Sequence, residues 1–140
     1  MNFYIEDGFK IFHRIFYLAY RIKKERKKMM QNFNLSEAEA QILFFLGLNH
    51  GEVENYKLVN FYQKHKSTIR QKLKTLEEKD LIIFEKCNDE RKKKIRLSQK
   101  GAKLFKKILS LNTEYQNSVL QKFSEKEKKT LIKLLDKFFK

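Results

Sequence analysis

The residues of this chain best suited to chemistry lie in one stretch, from His65 to Gly101. Within it, Ile69, Leu73 and Leu76 recur at helical spacing, which predicts an amphipathic helix. The rest of that helix carries hydroxyls, an amide and cations: Lys66, Ser67, Thr68, Arg70, Gln71 and Lys74. Side chains of these types bind phosphate oxygens near a helix start and base edges from a helix middle.

A β-hairpin with a basic tip is predicted directly after this helix. The apolar run 81–84 predicts its first strand, and Asn88-Asp89 supplies turn-forming residues. Alternation in the second strand puts Ile95 and Leu97 on one face and two cations on the other. The cations of the tip and second strand are Arg91, Lys92, Lys93, Lys94 and Arg96. A hairpin this charged is expected to form a wing, with its tip against a nucleic-acid backbone or in a minor groove.

Five short motifs in this stretch resemble the winged helix-turn-helix of the MarR family of bacterial transcription regulators. They are Ser67-Thr68-Ile69, Leu76-Glu77, Asp80-Leu81-Ile82, Asp89-Glu90-Arg91 and Leu97-Ser98-x-x-Gly101, in register without a gap. Five weak motifs in one register are more specific than any of them alone. The chain departs from the family pattern at Gln63-Lys64-His65, where Gly-Leu-Asp is usual, and at Glu54, where Ser or Thr is common.

The resemblance implies a fold and a role for each polar residue. The fold class would be mainly α with a small β-hairpin wing (α+β). Lys66, Ser67 and Thr68 would hold phosphates, whereas Arg70, Gln71 and Lys74 would meet base edges in the major groove. The family's wing pair implies that Arg91 reaches the minor groove with Asp89 orienting it. The remaining wing cations, Lys92, Lys93, Lys94 and Arg96, would add phosphate contacts.

The composition of the chain favours a polyanionic partner. Its 140 residues are the length of one domain, and its formal net charge is +15. About two thirds of that charge lies between Gln63 and Lys107, where 16 Lys/Arg face 6 Asp/Glu. One cysteine, no stretch of 18 apolar residues and no secretory pattern at the start lead us to expect a cytoplasmic protein without a membrane partner.

The ends of the chain are predicted to form dimerisation helices. A first helix from about Ile5 to Met30 is apolar on nearly all sides, and the last helix has a broad apolar stripe. Together these helices have more apolar surface than one small domain can bury by itself. We therefore predict a homodimer, in which residues 1–34 and 98–140 dimerise and residues 35–97 form the DNA-binding lobe of a single domain spanning 1–140. The predicted interface residues are Ile5, Phe9, Leu111, Tyr115, Leu131, Leu135 and Phe138.

Local signals predict the remaining elements. Ser36 with Glu39, and Ser124 with Glu127, have the spacing of capping boxes at two helix starts. A helix from Val53 to Tyr62 would be the first helix of the helix-turn-helix and would support the recognition helix that follows it. Ser98 is a predicted N-cap, and Gly101 would allow close packing.

The aromatic residues of the first helix have two interpretations. They pack in a core or interface, or they line a ligand pocket, because small aromatic compounds bind near there in the resembling family and weaken DNA binding. The candidate pocket residues are Phe12, His13, Phe16, Tyr17 and Tyr20.

No catalytic machinery, cofactor motif or metal-spaced His/Cys cluster stands out, so we predict neither an enzyme nor a cofactor or metal site. The predicted function is a homodimeric, sequence-specific DNA-binding regulator, a repressor released by a small aromatic ligand. Three alternatives stay open: a weakly specific architectural DNA-binding protein, a thiol-based sensor acting through Cys87 in its cationic surroundings, and a winged helix that binds an acidic protein.

Overall fold

The computed structural model of the chain describes residues 1–62, 66–85 and 93–140, except for the side chains of residues 61, 62, 66 and 67. Six α-helices and three short strands follow one another in these ranges. They are α1 (Asp7–Gln31), α2 (Glu37–Leu48), β1 (Glu52–Glu54), α3 (Asn55–Tyr62), α4 (Lys66–Glu78), β2 (Ile82–Glu85), β3 (Lys94–Leu97), α5 (Gln99–Leu120) and α6 (Glu125–Asp136), with a 3-10 turn at Lys137–Phe139. The predicted class, mainly α with a small winged sheet, is confirmed.

The strands form one antiparallel sheet in the order β1-β3-β2. Phe84 lies opposite Ile95 in the β2–β3 pair, and Val53 lies opposite Ile95 in the β1–β3 pair. The sheet thus has one more strand than the predicted hairpin. The prediction of a helix starting at Val53 was wrong, because residues 52–54 are extended and α3 begins only at Asn55.

The chain divides into two compact units, Met1–Ala102 and Lys103–Lys140. The core of the first unit is aliphatic and draws on every helix from α1 to α4 and on all three strands. Its most deeply buried side chains include Met30, Leu43, Leu46, Leu58, Leu76, Ile82 and Ile95. The single predicted domain with its two dimerisation segments remains a prediction.

The second unit is the C-terminal part of α5 followed by α6. Ile108 is buried on α5, whereas no α6 residue is buried. The predicted capping box starts α6: the Glu127 backbone N–H donates to Ser124 Oγ at 3.1 Å, and the Ser124 backbone N–H donates to Glu127 Oε1 at 2.9 Å. No helix among the described residues is long and apolar enough to cross a membrane.

Candidate nucleic-acid interface

Helix α4 has one buried aliphatic side and one exposed polar side, as predicted. Ile69, Leu73 and Leu76 are 4%, 3% and 0% exposed. The exposed residues on the other sides include Thr68, Arg70, Gln71 and Lys74. The three buried side chains anchor about two turns of the helix in the core. The core therefore fixes the position of the exposed polar side chains.

Part of the predicted set lies outside what the structure describes. Lys66 and Ser67 are in the first turn of α4, but their side chains are not described. Asp89, Arg91 and Lys92, which form the predicted wing tip, and Cys87 lie outside the described residues. Their predicted roles stay predictions.

A half-buried ion pair fixes the end of α4 to the start of α2. Lys79, just after α4, places its Nζ 2.7 Å from Glu39 Oε2 and 2.7 Å from the carbonyl oxygen of Asn34. Glu39 is 5% exposed, and its other oxygen accepts a hydrogen bond from Ser36 Oγ at 3.1 Å. The carboxylate therefore has partners for both oxygens, as a buried charge requires. The predicted capping box at Ser36 is half formed: the Glu39 backbone N–H donates to Ser36 Oγ at 3.2 Å, whereas the Glu39 carboxylate bonds the Ser36 hydroxyl and Lys79.

The turn after α4 is fixed from the other direction by the start of α5. Ser98 Oγ donates to the Asp80 carbonyl oxygen at 2.5 Å and accepts from the Gly101 backbone N–H at 2.9 Å, which confirms Ser98 as an N-cap. A Cβ on Gly101 would collide with the carbonyl oxygen of Leu81. Gly101 is thus needed for the close approach, as the sequence predicted.

The cations of β3 and the lysine just before it have intramolecular partners. Arg96 Nε lies 2.9 Å from Glu85 Oε1, and Lys94 Nζ lies 4.0 Å from Glu52 Oε1. Lys93 Nζ lies 4.8 Å from the ring centroid of Phe84, a cation–π distance. A phosphate would have to compete with these intramolecular contacts.

The predicted dimerisation residues are largely exposed in the single chain. Ile5, Phe9, Leu131, Leu135 and Phe138 are exposed, and Leu111 and Tyr115 are half-buried. Large apolar side chains exposed in such number on two helices are typical of a surface that a partner covers.

The candidate pocket residues are exposed as well. Phe12, Phe16, Tyr17 and Tyr20 are each more than half exposed, and His13 is exposed and stacks on Phe9 with ring centroids 6.1 Å apart. The two interpretations of these aromatics therefore both stay predictions.

Sequence reasoning missed the Glu39–Lys79 pair and the acidic residues of the sheet. Forty residues separate the two members of the pair, and no local signal links them. The first strand of the sheet could have been predicted, because Glu52-Val53-Glu54 has the polar–apolar alternation of a strand.

No family profile matches the sequence, and no curated protein matches it. Among solved structures, Staphylococcus aureus MarR in complex with salicylate and kanamycin matches with a TM-score of 0.85 and 20% identity, over 94% of this chain and 89% of that one.

The protein has the MarR fold. Two further structures agree: Staphylococcus aureus MepR in complex with DNA (TM-score 0.75, 21% identity, 96% of this chain and 97% of that one) and a MarR regulator from Methanosarcina mazei Go1 (TM-score 0.77, 18% identity, 96% and 90%). This fold is a winged helix, and in the part of the chain that the structure describes its sheet has three antiparallel strands.

Proposed function

We propose that this protein is a sequence-specific DNA-binding transcription regulator of the MarR family. One observation carries the proposal: α4 presents Arg70, Gln71 and Lys74 on an exposed side, while its other side and its end are fixed to the core. Long cationic and amide side chains on a rigid helix match the donor and acceptor pattern of the major groove.

The charge of the chain supports the choice of partner. A net charge of +15 attracts a polyanion before any specific contact forms. MepR, with the same fold, has been solved in complex with DNA. We propose that Lys66, Ser67 and Thr68 bind phosphates and that Arg70, Gln71 and Lys74 contact base edges. In the wing, Arg91 would reach the minor groove with Asp89 orienting it, and Lys92 would bind phosphate. Lys93, Lys94 and Arg96 have intramolecular partners with which phosphate must compete, so we expect them to contribute little to specific DNA binding.

We further propose that the active form is a homodimer. Its apolar interface would be drawn from α1, α5 and α6, and it would place two α4 helices in successive major grooves of one duplex face. We propose that this dimer acts as a repressor, by occupying promoter DNA that the transcription machinery needs.

A small aromatic ligand would release the repressor. Staphylococcus aureus MarR has been solved with salicylate, an aromatic acid. Here the aromatic side of α1 is the proposed place for such a molecule. It can act only through a higher affinity for protein dimers whose two α4 helices are wrongly spaced for DNA.

A fluorescence-anisotropy titration tests the proposal. The labelled duplex is the DNA upstream of this protein's own gene, compared with a scrambled duplex of equal length at two salt concentrations. We expect a preference of roughly 10³ or more for the upstream duplex. If both duplexes bind equally, a selection from genomic fragments follows, and failure to enrich any site supports a weakly specific architectural protein instead. Failure to bind any duplex at moderate salt contradicts DNA binding and favours an acidic protein partner.

A further inference from the structure

The outer face of the sheet is unexpectedly acidic for a chain with a net charge of +15. Residues alternate between the two faces of a strand. Val53, Ile82 and Ile95 are buried on the inner face. Among the described residues, the charged members of the outer face are Glu52, Glu54, Glu85, Lys94 and Arg96. Three carboxylates thus face two cations.

The register places Lys94 between two carboxylates and Arg96 beside one. Lys94 lies opposite Glu54 on one side and Glu85 on the other, and Arg96 lies opposite Glu52. Two diagonal ion pairs then form: Arg96 Nε to Glu85 Oε1 at 2.9 Å and Lys94 Nζ to Glu52 Oε1 at 4.0 Å. Because neighbouring strands are about 4.8 Å apart, the five charges lie within about 12 Å. That distance is close to the Debye length of about 10 Å at 0.1 M salt, so the group acts on a phosphate as one patch.

All four paired side chains are partly exposed to solvent, although the Arg96 Nε atom itself is buried and meets Glu85 as an ion pair without hydrogen-bond geometry. Glu52 and Glu85 are 54% and 45% exposed, and Lys94 and Arg96 are 46% and 43% exposed. An exposed ion pair adds little to folding stability. Such a pair can still weaken the binding of a polyanion, because its carboxylate repels phosphate and neutralises a cation that would otherwise attract it.

We propose that Glu52, Glu54 and Glu85 make the outer face of the sheet a surface that DNA avoids, and so raise specificity. The inference rests on the proposed function and adds a determinant of specificity to it. Non-specific binding is almost wholly electrostatic, so a strongly basic protein binds random DNA in many orientations. Masking this face penalises orientations in which the sheet lies flat on the duplex. Orientations that present α4 to the major groove are thereby favoured.

Two double variants test the inference with equal changes in net charge. Glu52→Gln/Glu85→Gln removes both carboxylates of the sheet ion pairs. Glu25→Gln/Glu125→Gln removes two carboxylates that are also ion-paired to lysines, Lys28 at 3.7 Å and Lys128 at 3.0 Å, but on α1 and α6. The probe is a random-sequence duplex titrated from about 50 mM to about 200 mM salt. Thermal melts check that both variants fold.

We expect the sheet variant to bind the random duplex roughly threefold or more tightly, with a salt slope about one unit steeper, as one gained phosphate contact requires. The control variant should change much less. Equal gains in the two variants, or weaker binding by the sheet variant, would overturn the inference. A wild-type chain without affinity for any duplex would instead overturn the proposed function, so the two failures are distinguishable.

Arg96→Gln supplies a second, independent readout. In the wild-type background we expect almost no change in the salt slope, because Arg96 is already occupied by Glu85. In the Glu85→Gln background the same substitution should reverse the gain by about one slope unit. A full loss of one unit in the wild-type background would show that Arg96 contacts phosphate despite its partner, and would overturn the masking role.

Discussion

At the scale of single residues, the described side chains of α4 divide into those that pack in the core and those that are exposed to solvent. Helical spacing alone predicted this division, because Ile69, Leu73 and Leu76 were assigned to the core and are buried there. The polar side then follows from the same periodicity. The ion pair that fixes the end of the helix could not be predicted, since Glu39 and Lys79 are brought together only by the packing of α2 on α4.

Gln71→Ala tests base reading by α4. Glutamine matches adenine in bidentate geometry, so its loss should cost about 1–3 kcal/mol on a selected site and much less on random DNA. Anisotropy titrations with both duplexes measure the difference. An equal loss on the two duplexes would contradict the assignment of Gln71 to a base edge.

Glu39→Gln tests the anchor at the end of α4. The variant leaves the Lys79 ammonium without its charged partner in a half-buried place, so we expect the free energy of unfolding to fall by about 1–3 kcal/mol. The matched control is Glu25→Gln, whose exposed pair with Lys28 should contribute less than about 1 kcal/mol. Urea unfolding curves give both values, and equal effects would show that the Glu39 pair has no special role.

At the scale of elements, the predictions from the sequence failed mainly at a short strand. The long helices α1, α5 and α6 were predictable from apolar periodicity, and Ser98 and Ser124 from cap chemistry. β1 was missed because three residues are too few for a pattern to outweigh the helical signal that follows. Its addition to the hairpin is what places Glu52 and Glu54 beside Lys94 and Arg96.

The capping box of α6 makes the stability of that helix depend on pH. The backbone N–H of Ser124, and then its hydroxyl, hydrogen-bond the Glu127 carboxylate and hold its pKa below the ordinary value. Because the pKa of Glu127 is lower in the folded state, its ionised carboxylate stabilises the fold at pH values above the unfolded-state pKa of about 4.3. This stabilisation is lost as the pH falls through the folded-state pKa. We expect Glu127→Gln to reduce the acid sensitivity of unfolding. Glu125→Gln serves as a control on the same helix, and an identical pH profile for wild type and Glu127→Gln would contradict the box.

At the scale of the whole molecule, the exposed apolar side chains are the feature that one copy of the chain leaves unexplained. They concentrate on α1 and α6, where Phe9, Phe16, Leu131 and Leu135 are all exposed. The sequence predicted these surfaces because its apolar stripes are broader than one small domain needs. Their coverage by a second copy rests on the proposal, since a sequence pattern does not say what covers it.

Leu135→Glu tests the dimer. A carboxylate in an apolar interface loses hydration without gaining a partner, so we expect the variant to dissociate to monomers. Leu48→Glu is the matched control, because Leu48 is an exposed leucine at the end of α2, outside the predicted interface. Sedimentation equilibrium measures the mass of each variant. A monomeric wild type, or equal dissociation of both variants, would contradict the predicted interface.

Hydroxyl-radical footprinting on the highest-affinity duplex tests the central claim most directly. A dimer that presents two α4 helices predicts two protected patches on one face of the duplex, centred about 10 base pairs apart. Gln71→Ala should weaken both patches together. Uniform protection along the duplex, or a single patch, would contradict recognition by two α4 helices.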